Sequence, residues 1–268
     1  MAKLPVHQLI NNGYMFIPID SVKVDAAKAV WKWIMDKEKD SLEGVPITRR
    51  GEPESDLGHI IRVGDEGGDK KHFLHIAHDL CLYMTPLQRR EFRFYEHEYL
   101  VLEDLRKHLN QVAFAIAQAL DQEYEDTFVE PLLSKVKRST DTSTPYATTT
   151  LRSLWYPPDP DQTGAGNHID RNLFSIHVGD SGGQLLGFEG GEFGPEFVIT
   201  PPPGYAVVFF GVKVLYLTDG RIMPLWHGST VEPGKPRTAM VQFVQADIGF
   251  EVPRALDAYN AFYENHER

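Results

Sequence analysis

Cysteine is nearly absent: Cys81 is the only one in 268 residues. A single thiol cannot close an internal disulfide, and four-thiolate zinc and iron–sulfur sites are excluded by count. Cys81 stands among Leu80, Leu82 and Met84, the setting of a buried, inert thiol. Positive charge is also scarce, with 27 Lys and Arg against 38 Asp and Glu and a formal net charge of -11. Binding nucleic acid requires clustered cations to neutralise phosphates, so a small-molecule substrate is expected and a nucleic-acid partner is not. No apolar run approaches the ~18 residues of a membrane span. Met1–Pro5 has no leader-like apolar stretch, and a reducing, cytoplasmic setting without a membrane partner is expected. There is no internal repeat and no low-complexity segment, and no feature of the chain sets an oligomeric state.

Hydrophobic residues make up 42% of the chain, enough for a substantial core. The patterning suggests a single domain over 1–268: a helical N-terminal support and lid region at 1–140, a β core at 145–248, and a C-terminal helix at 253–268. Residues 8–18 predict a helical turn and a strand. Asp20 or Ser21 can cap a following helix, in which Ala27, Val30, Trp31 and Ile34 recur at helical spacing. Residues 41–69 are rich in Gly, Pro, Arg and Glu, interrupted only by the strand-like Gly58–Ile61. Their Gly content and charge suit a loop closing over a site. Phe73–Met84 reads as a strand edge followed by a helix. His72, His75 and His78 fall at i, i+3 and i+6, more simply surface or packing histidines than a metal site. The clearest helix covers about 92–123. There Leu102, Leu105, Leu109, Val112, Ile116 and Leu120 form one stripe, with Glu103, Arg106, Lys107, Asn110 and Gln118 on other faces. It is expected to lie along the outside of a barrel as support. A short helix at 129–137 follows.

After Asp141 the pattern becomes β. Strand-like segments fall at 148–156, 173–178, 184–188, 197–200, 206–210, 214–217 and 239–244, separated by Gly- and Pro-containing turns. Many short strands with regular turn signals predict an antiparallel barrel or jelly roll, and residues 253–266 predict a docking helix. The fold class is therefore mainly β with flanking helices, a double-stranded β-helix core.

The chemistry is concentrated between His168 and Arg237. Residues two apart on a strand share a face, so His168 and Asp170 would both point inward and Ile169 away. His-x-Asp alone is weak evidence. Its weight comes from its place at a loop-to-strand junction after Gly164-Ala165-Gly166, with a second inward histidine, His227, further along. That Gly-x-Gly pair lacks the rest of a dinucleotide fingerprint and is read as a loop. Two imidazoles and one carboxylate form a facial ligand set for non-haem Fe(II), leaving positions open for a co-substrate and O2. Arg237, downstream of the last ligand, suits the far carboxylate of a dicarboxylate co-substrate.

From about Leu151 to Val244 the chain resembles the Fe(II)/2-oxoglutarate-dependent dioxygenases of the isopenicillin N synthase-like group. Leu151-Arg152-Ser153-Leu154-Trp155-Tyr156-Pro157-Pro158 is similar to that group's strand ending in Tyr-Pro-Pro. Gly182-Gly183-Gln184-Leu185 resembles its Gly-Gly-Leu-Gln turn with the last two residues exchanged. Pro203-Gly204 through Val207-Val208 resembles its Pro-Gly-x-x-Val-Val strand, and Leu217-Thr218-Asp219-Gly220-Arg221 the segment before its distal histidine. Asp69-Lys70-Lys71-His72-Phe73 resembles a weaker N-terminal motif.

The resemblance implies Fe(II) held by His168, Asp170 and His227, with 2-oxoglutarate and O2 as co-substrates and succinate and CO2 as co-products. It implies Arg237 and Tyr156 as the anchor for the distal carboxylate of 2-oxoglutarate. The family pattern there is Arg-x-Ser; this chain has Ala239 in the serine position, and Thr238 points to the other face. Retention of the Asp170 carboxylate favours hydroxylation of an unactivated C–H bond over halogenation. Desaturation and ring closure use the same oxidant. The substrate expected is an amino acid or secondary-metabolite intermediate. By inward parity, with one irregularity after the motif, Ser175, His177, Leu185 and Arg152 are its candidate contacts, while Phe209, Phe210 and Trp226 are read as core. Two alternatives remain: an iron-dependent oxidase or cyclase that does without 2-oxoglutarate, and a non-catalytic jelly-roll binding protein.

Overall fold

The computed structural model describes residues 3–38, 58–62, 71–76, 96–140, 149–161, 163–252 and 254–266. Cys81, His78, the start of the long helix at 92–95 and most of the expected lid lie outside the described residues. Ten strands are described: β1 (Tyr14–Pro18), β2 (Gly58–Arg62), β3 (Lys71–Ile76), β4 (Thr150–Tyr156), β5 (Phe174–Ser181), β6 (Leu185–Phe188), β7 (Glu196–Ile199), β8 (Tyr205–Phe210), β9 (Trp226–Ser229) and β10 (Arg237–Val244). Seven form an antiparallel sheet in the order β1-β8-β5-β10-β4-β3-β2, and three form a smaller sheet in the order β7-β6-β9. Six α-helices accompany them: α1 (Val6–Asn12), α2 (Ser21–Glu38), α3 (Glu96–Glu123), α4 (Leu132–Ser139), α5 (Lys213–Thr218) and α6 (Ala255–His266).

Register divides the large sheet into two faces. Tyr156 pairs with Arg237, Leu154 with Ala239 and Arg152 with Val241, while His177 also pairs with Val241 and Ser175 with both Phe243 and Phe209. Directly opposed residues share a face, so all of these look inward. The alternate residues Leu151, Trp155, Met240, Ile176, Val208 and Phe210 join the main core with the N-terminal helices. In α3, Leu102, Leu105, Leu109, Ile116 and Leu120 are completely buried in that core, each contributing roughly 1.5–3 kcal/mol. The helical layer thus covers one face of the large sheet and leaves the other to the site. Asp20 caps α2, accepting from the Val22 and Lys23 amides at 3.0 and 3.3 Å. Trp31 in the same helix donates its indole N–H to the Leu154 carbonyl at 2.8 Å.

One expectation is corrected, at residues 214–217. On the other faces of α3, Glu103, Arg106 and Asn110 are buried. Arg106 makes two 2.6 Å bonds to Glu103, and Asn110 accepts from Gln242 of β10 at 2.7 Å. The helix packs on more than its apolar stripe. Residues 214–217 are helical, within α5, where a strand is expected. A short apolar run does not distinguish the two states, and here Asp219 at φ 52 and Gly220 at φ 72 end one helical turn. His72 and His75 are packing histidines, in line with expectation: they lie on β3, an odd number apart, and face opposite sides. His72 packs edge-on to Trp155 and His75 bonds to Arg152. Among the described residues, no helix is long and apolar enough to cross a membrane.

Candidate metal centre

The ligand atoms of His168, Asp170 and His227 lie within 4.8 Å of one another. His168 Nε2 is 3.8 Å from Asp170 Oδ1, and His227 Nε2 is 3.7 Å from Asp170 Oδ2. His227 sits on β9. His168 forms a single bridge to it and is not part of a longer strand, at the junction where the sequence places the end of a loop. The chain turns instead, and the Asp170 carbonyl accepts from the Val212 amide at 2.8 Å. Asp170 still faces the two histidines, and Ile169 packs away from them with Val212, Leu215, Trp226 and Phe262 of α6.

The hydrogen bonds specify the histidine tautomers. Nδ1 of His168 meets the Gly166 carbonyl at 2.7 Å, and Nδ1 of His227 meets the Leu225 carbonyl at 3.1 Å. A carbonyl can only accept, so both protons are on Nδ1 and both Nε2 lone pairs are available to a metal. Burial, reinforced by His168, lowers the His227 pKa to about 4. That imidazole is neutral at neutral pH. Burial opposes the Asp170 charge, but His227, His168, the Ser175 hydroxyl and Arg152 outweigh it and hold the carboxyl below its usual 3.8. Two imidazole nitrogens and one carboxylate, with His168 44% exposed on the open side, fit a divalent iron that keeps open positions.

Ser175 lies on the inner face of the sheet but is not among the residues that line the cavity. It is completely buried, donates to Asp170 Oδ2 and accepts from Asn172 Nδ2 at 2.8 Å. The early turn after Asp170 carries its hydroxyl behind the carboxylate, where it orients a ligand.

A cavity of about 70 Å³ opens beside the three ligands, with Arg237 and Tyr156 at its wall and Arg152, Lys71, His177 and Leu185 also lining it. Arg237, 2% exposed, holds Asp180 in a fork: Nε to Oδ1 at 2.9 Å and NH2 to Oδ2 at 2.6 Å. Its NH1 donates to Ser229 Oγ at 2.9 Å, and its Cζ lies 5.1 Å from the Tyr156 ring centre. Burial disfavours this guanidinium charge, yet Asp180 more than compensates and its pKa is raised. The Gly182-Gly183 turn is what admits it. Gly182 has φ 78, and a Cβ on Gly183 would stand 2.7 Å from Arg237 Cδ and 2.1 Å from the Thr230 carbonyl.

His177 Nε2 is 3.5 Å from Asp180 Oδ2. Burial, only partly offset by Asp180, lowers its pKa. With Leu185 it separates the metal cavity from a larger one of about 490 Å³ on the α2 side. Arg152 stacks its guanidinium between Phe73 and Phe243, 4.9 and 4.6 Å from their ring centres. Phe210 and Trp226 are core residues; Phe209 is buried but also lines the cavity, its ring 4.5 Å from that of His227. Asp180 and Ser229 are functional neighbours that sequence reasoning missed. Ser229 stands two residues beyond His227, so strand parity could have found it; Asp180, at the end of β5 where the register with β10 shifts, carries no such signal.

Sheet, ligand triad and buried guanidinium together form a site that could hold a divalent metal beside an anion-binding group. Residues 145–246 match the model of the 2OG-Fe(II) oxygenase superfamily. Flavanone 3-dioxygenase 2 of Oryza sativa subsp. japonica is 26% identical over 119 residues, 42% of this chain and 34% of that protein. Gibberellin 20 oxidase 2 of Oryza sativa subsp. indica is 30% identical over 97 residues, 35% of this chain and 24% of that protein. The matched segment thus spans about a third or less of these relatives. The fold is shared over nearly the full length with two solved proteins. Dioxygenase for auxin oxidation 1 of Arabidopsis thaliana, in complex with 2-oxoglutarate, aligns with TM-score 0.67 and 15% identity over 94% of this chain and 92% of that one. Neurospora crassa T7H, in complex with α-ketoglutarate and 5-formyluracil, aligns with TM-score 0.64 and 18% identity over 95% and 83%.

Proposed function

We propose that the protein is a 2-oxoglutarate-dependent oxygenase of the isopenicillin N synthase-like group that hydroxylates an unactivated C–H bond of an acidic small molecule, such as an amino acid or a secondary-metabolite intermediate. The observation that carries this reading is the single cavity shared by the His168–Asp170–His227 triad and the buried Arg237. His168, Asp170 and His227 would hold Fe(II), which with 2-oxoglutarate and O2 would supply the oxidising power and give succinate and CO2 as co-products. The chain supplies the rest. His168 and His227 present Nε2 because their Nδ1 protons are held by backbone carbonyls. Ser175 holds the Asp170 carboxylate. Arg237, steadied by Asp180, offers a planar donor for the distal carboxylate, with Tyr156 beside it. Val241 and Phe243 of β10 add apolar walls that limit water.

The acidic character of the substrate rests on the cavity lining. Lys71 and Arg152 line it along with Arg237, and among the described residues Asp170, the one lining carboxylate, belongs to the ligand triad. A substrate carboxylate would meet Arg152 or Lys71 while Arg237 engages the co-substrate; His177 and Leu185 bound the remaining space.

The test is anaerobic reconstitution with Fe(II), then titration with 2-oxoglutarate. A weak visible charge-transfer band is expected, followed on admitting O2 and acidic candidate substrates by succinate and a hydroxylated product. Iron binding without that band would overturn the co-substrate assignment and give Arg237 to the substrate's own carboxylate. No iron binding would leave a non-catalytic binding protein.

A further inference from the structure

We propose that the hydroxyl of Ser229 donates to the distal carboxylate of 2-oxoglutarate, so that the anchor is an Arg237–Ser229 pair reaching across from β10 to β9. The inference rests on the function proposed above and goes beyond it, because it assigns the anchor a residue from a different strand.

The argument is a count of hydrogen-bonding capacity. A serine hydroxyl has two acceptor lone pairs and one proton to give. The Ala165 amide donates to Ser229 Oγ at 3.0 Å, and Arg237 NH1 donates to it at 2.9 Å. Both lone pairs are occupied by N–H groups, so the proton must point away from both. Among the described residues it has no protein acceptor, and Ser229 lines the metal cavity together with Arg237 and Tyr156. A cavity ligand that accepts it is a carboxylate oxygen, because the neighbouring guanidinium selects the same charge.

The surroundings position the pair. Asp180 occupies the Nε–NH2 edge of Arg237, so the NH1 end is the one beside Ser229. On the other side, the Ser229 amide donates to the Ala165 carbonyl at 2.9 Å, and a Cβ on Gly164 would lie 1.7 Å from the Ser229 carbonyl oxygen. The loop is thus closed down on β9, and Ser229 has little freedom to turn away. Ala239, two residues beyond Arg237, offers no hydroxyl and is sealed among Phe73, Leu154, Tyr156 and Val241.

A tie between loop and strand would be a purely structural role for Ser229, and the experiment must separate the two. The Fe(II)-loaded protein is titrated anaerobically with 2-oxoglutarate and with 2-oxopentanoate, which has the same chain without the distal carboxylate. The charge-transfer band gives both dissociation constants. Ser229→Ala is expected to weaken 2-oxoglutarate about tenfold, the size of one hydrogen bond to a charged group, and to leave 2-oxopentanoate unchanged. Ser229→Cys keeps the volume with a feeble donor and is expected to show the same selective loss. Unaltered 2-oxoglutarate binding, or an equal loss for both acids in the two variants, would overturn the assignment while the function stands. Wild-type protein that binds iron but neither acid would overturn both.

Discussion

His168 and His227 are joined twice through their own backbones: the His168 amide donates to the His227 carbonyl at 2.8 Å, and the His227 amide donates back at 2.9 Å. Two residues distant in sequence are thereby locked side by side, with ring centres 4.3 Å apart. Only Asp170 must then be brought to them. The β9 backbone is thus part of the metal site, and Gly164 is where its packing is least forgiving. Gly164→Ala would place a methyl group 1.7 Å from the Ser229 carbonyl oxygen and is expected to displace the loop. The expected result is iron affinity lowered by about 10–100-fold, a typical cost of disturbing the surroundings of metal ligands, measured by competition with a chelator.

Ser175 acts on the metal only through Asp170. Replacing it with alanine leaves the carboxylate without its buried donor and leaves Asn172 Nδ2 without its acceptor. Iron affinity is expected to fall about 10–100-fold with a far-UV spectrum like that of the wild type. Asp170→Ala removes a ligand and is expected to lose more; equal affinity for the two variants would show that Ser175 does not act through the carboxylate.

Arg237→Lys is not conservative here. A point-charge ammonium cannot hold Asp180 in a fork and reach Ser229 at the same time. Binding of 2-oxoglutarate to the iron-loaded protein is expected to weaken by about 10–100-fold, the loss of one or two charge-assisted bonds. Iron binding itself should be unchanged, which an anaerobic titration followed by chelator competition can establish.

Arg106 and Glu103 form a buried pair on α3, their side chains 1% and 11% exposed. Glu103→Gln would leave the guanidinium charged and poorly matched among apolar neighbours. Removing one partner of such a pair costs about 3–5 kcal/mol. Denaturant unfolding should show the midpoint falling at constant slope, and a loss under about 1 kcal/mol would mean that water reaches the pair.

The long stripe from Leu102 to Leu120 was legible because α-helical periodicity is a local property. The strands around Tyr156, His177 and Arg237 were legible because alternation is too, and the same parity puts Tyr156 opposite Arg237 on the inner face. Local pattern was insufficient at 214–217, where four apolar residues suit either state and buried contacts chose the helix. At Ser175, parity counted with one irregularity after the motif agrees with the inward register, but it carries no sign that the hydroxyl is taken up by the Asp170 carboxylate, a contact between side chains.

By itself the sequence determined the donor chemistry of the site: two imidazoles, a carboxylate and a guanidinium, with spacings that strands can bring onto one face. The tertiary structure alone decided the company these groups keep. Asp180 grips Arg237 from the far end of β5, and Ser229 reaches it from β9 in the other sheet. Such partners are set by how turns and sheet edges close, through contacts between segments whose order along the chain carries no record of their meeting. Residue type and periodicity are written locally, whereas hydrogen-bond partners across a site follow from the whole fold.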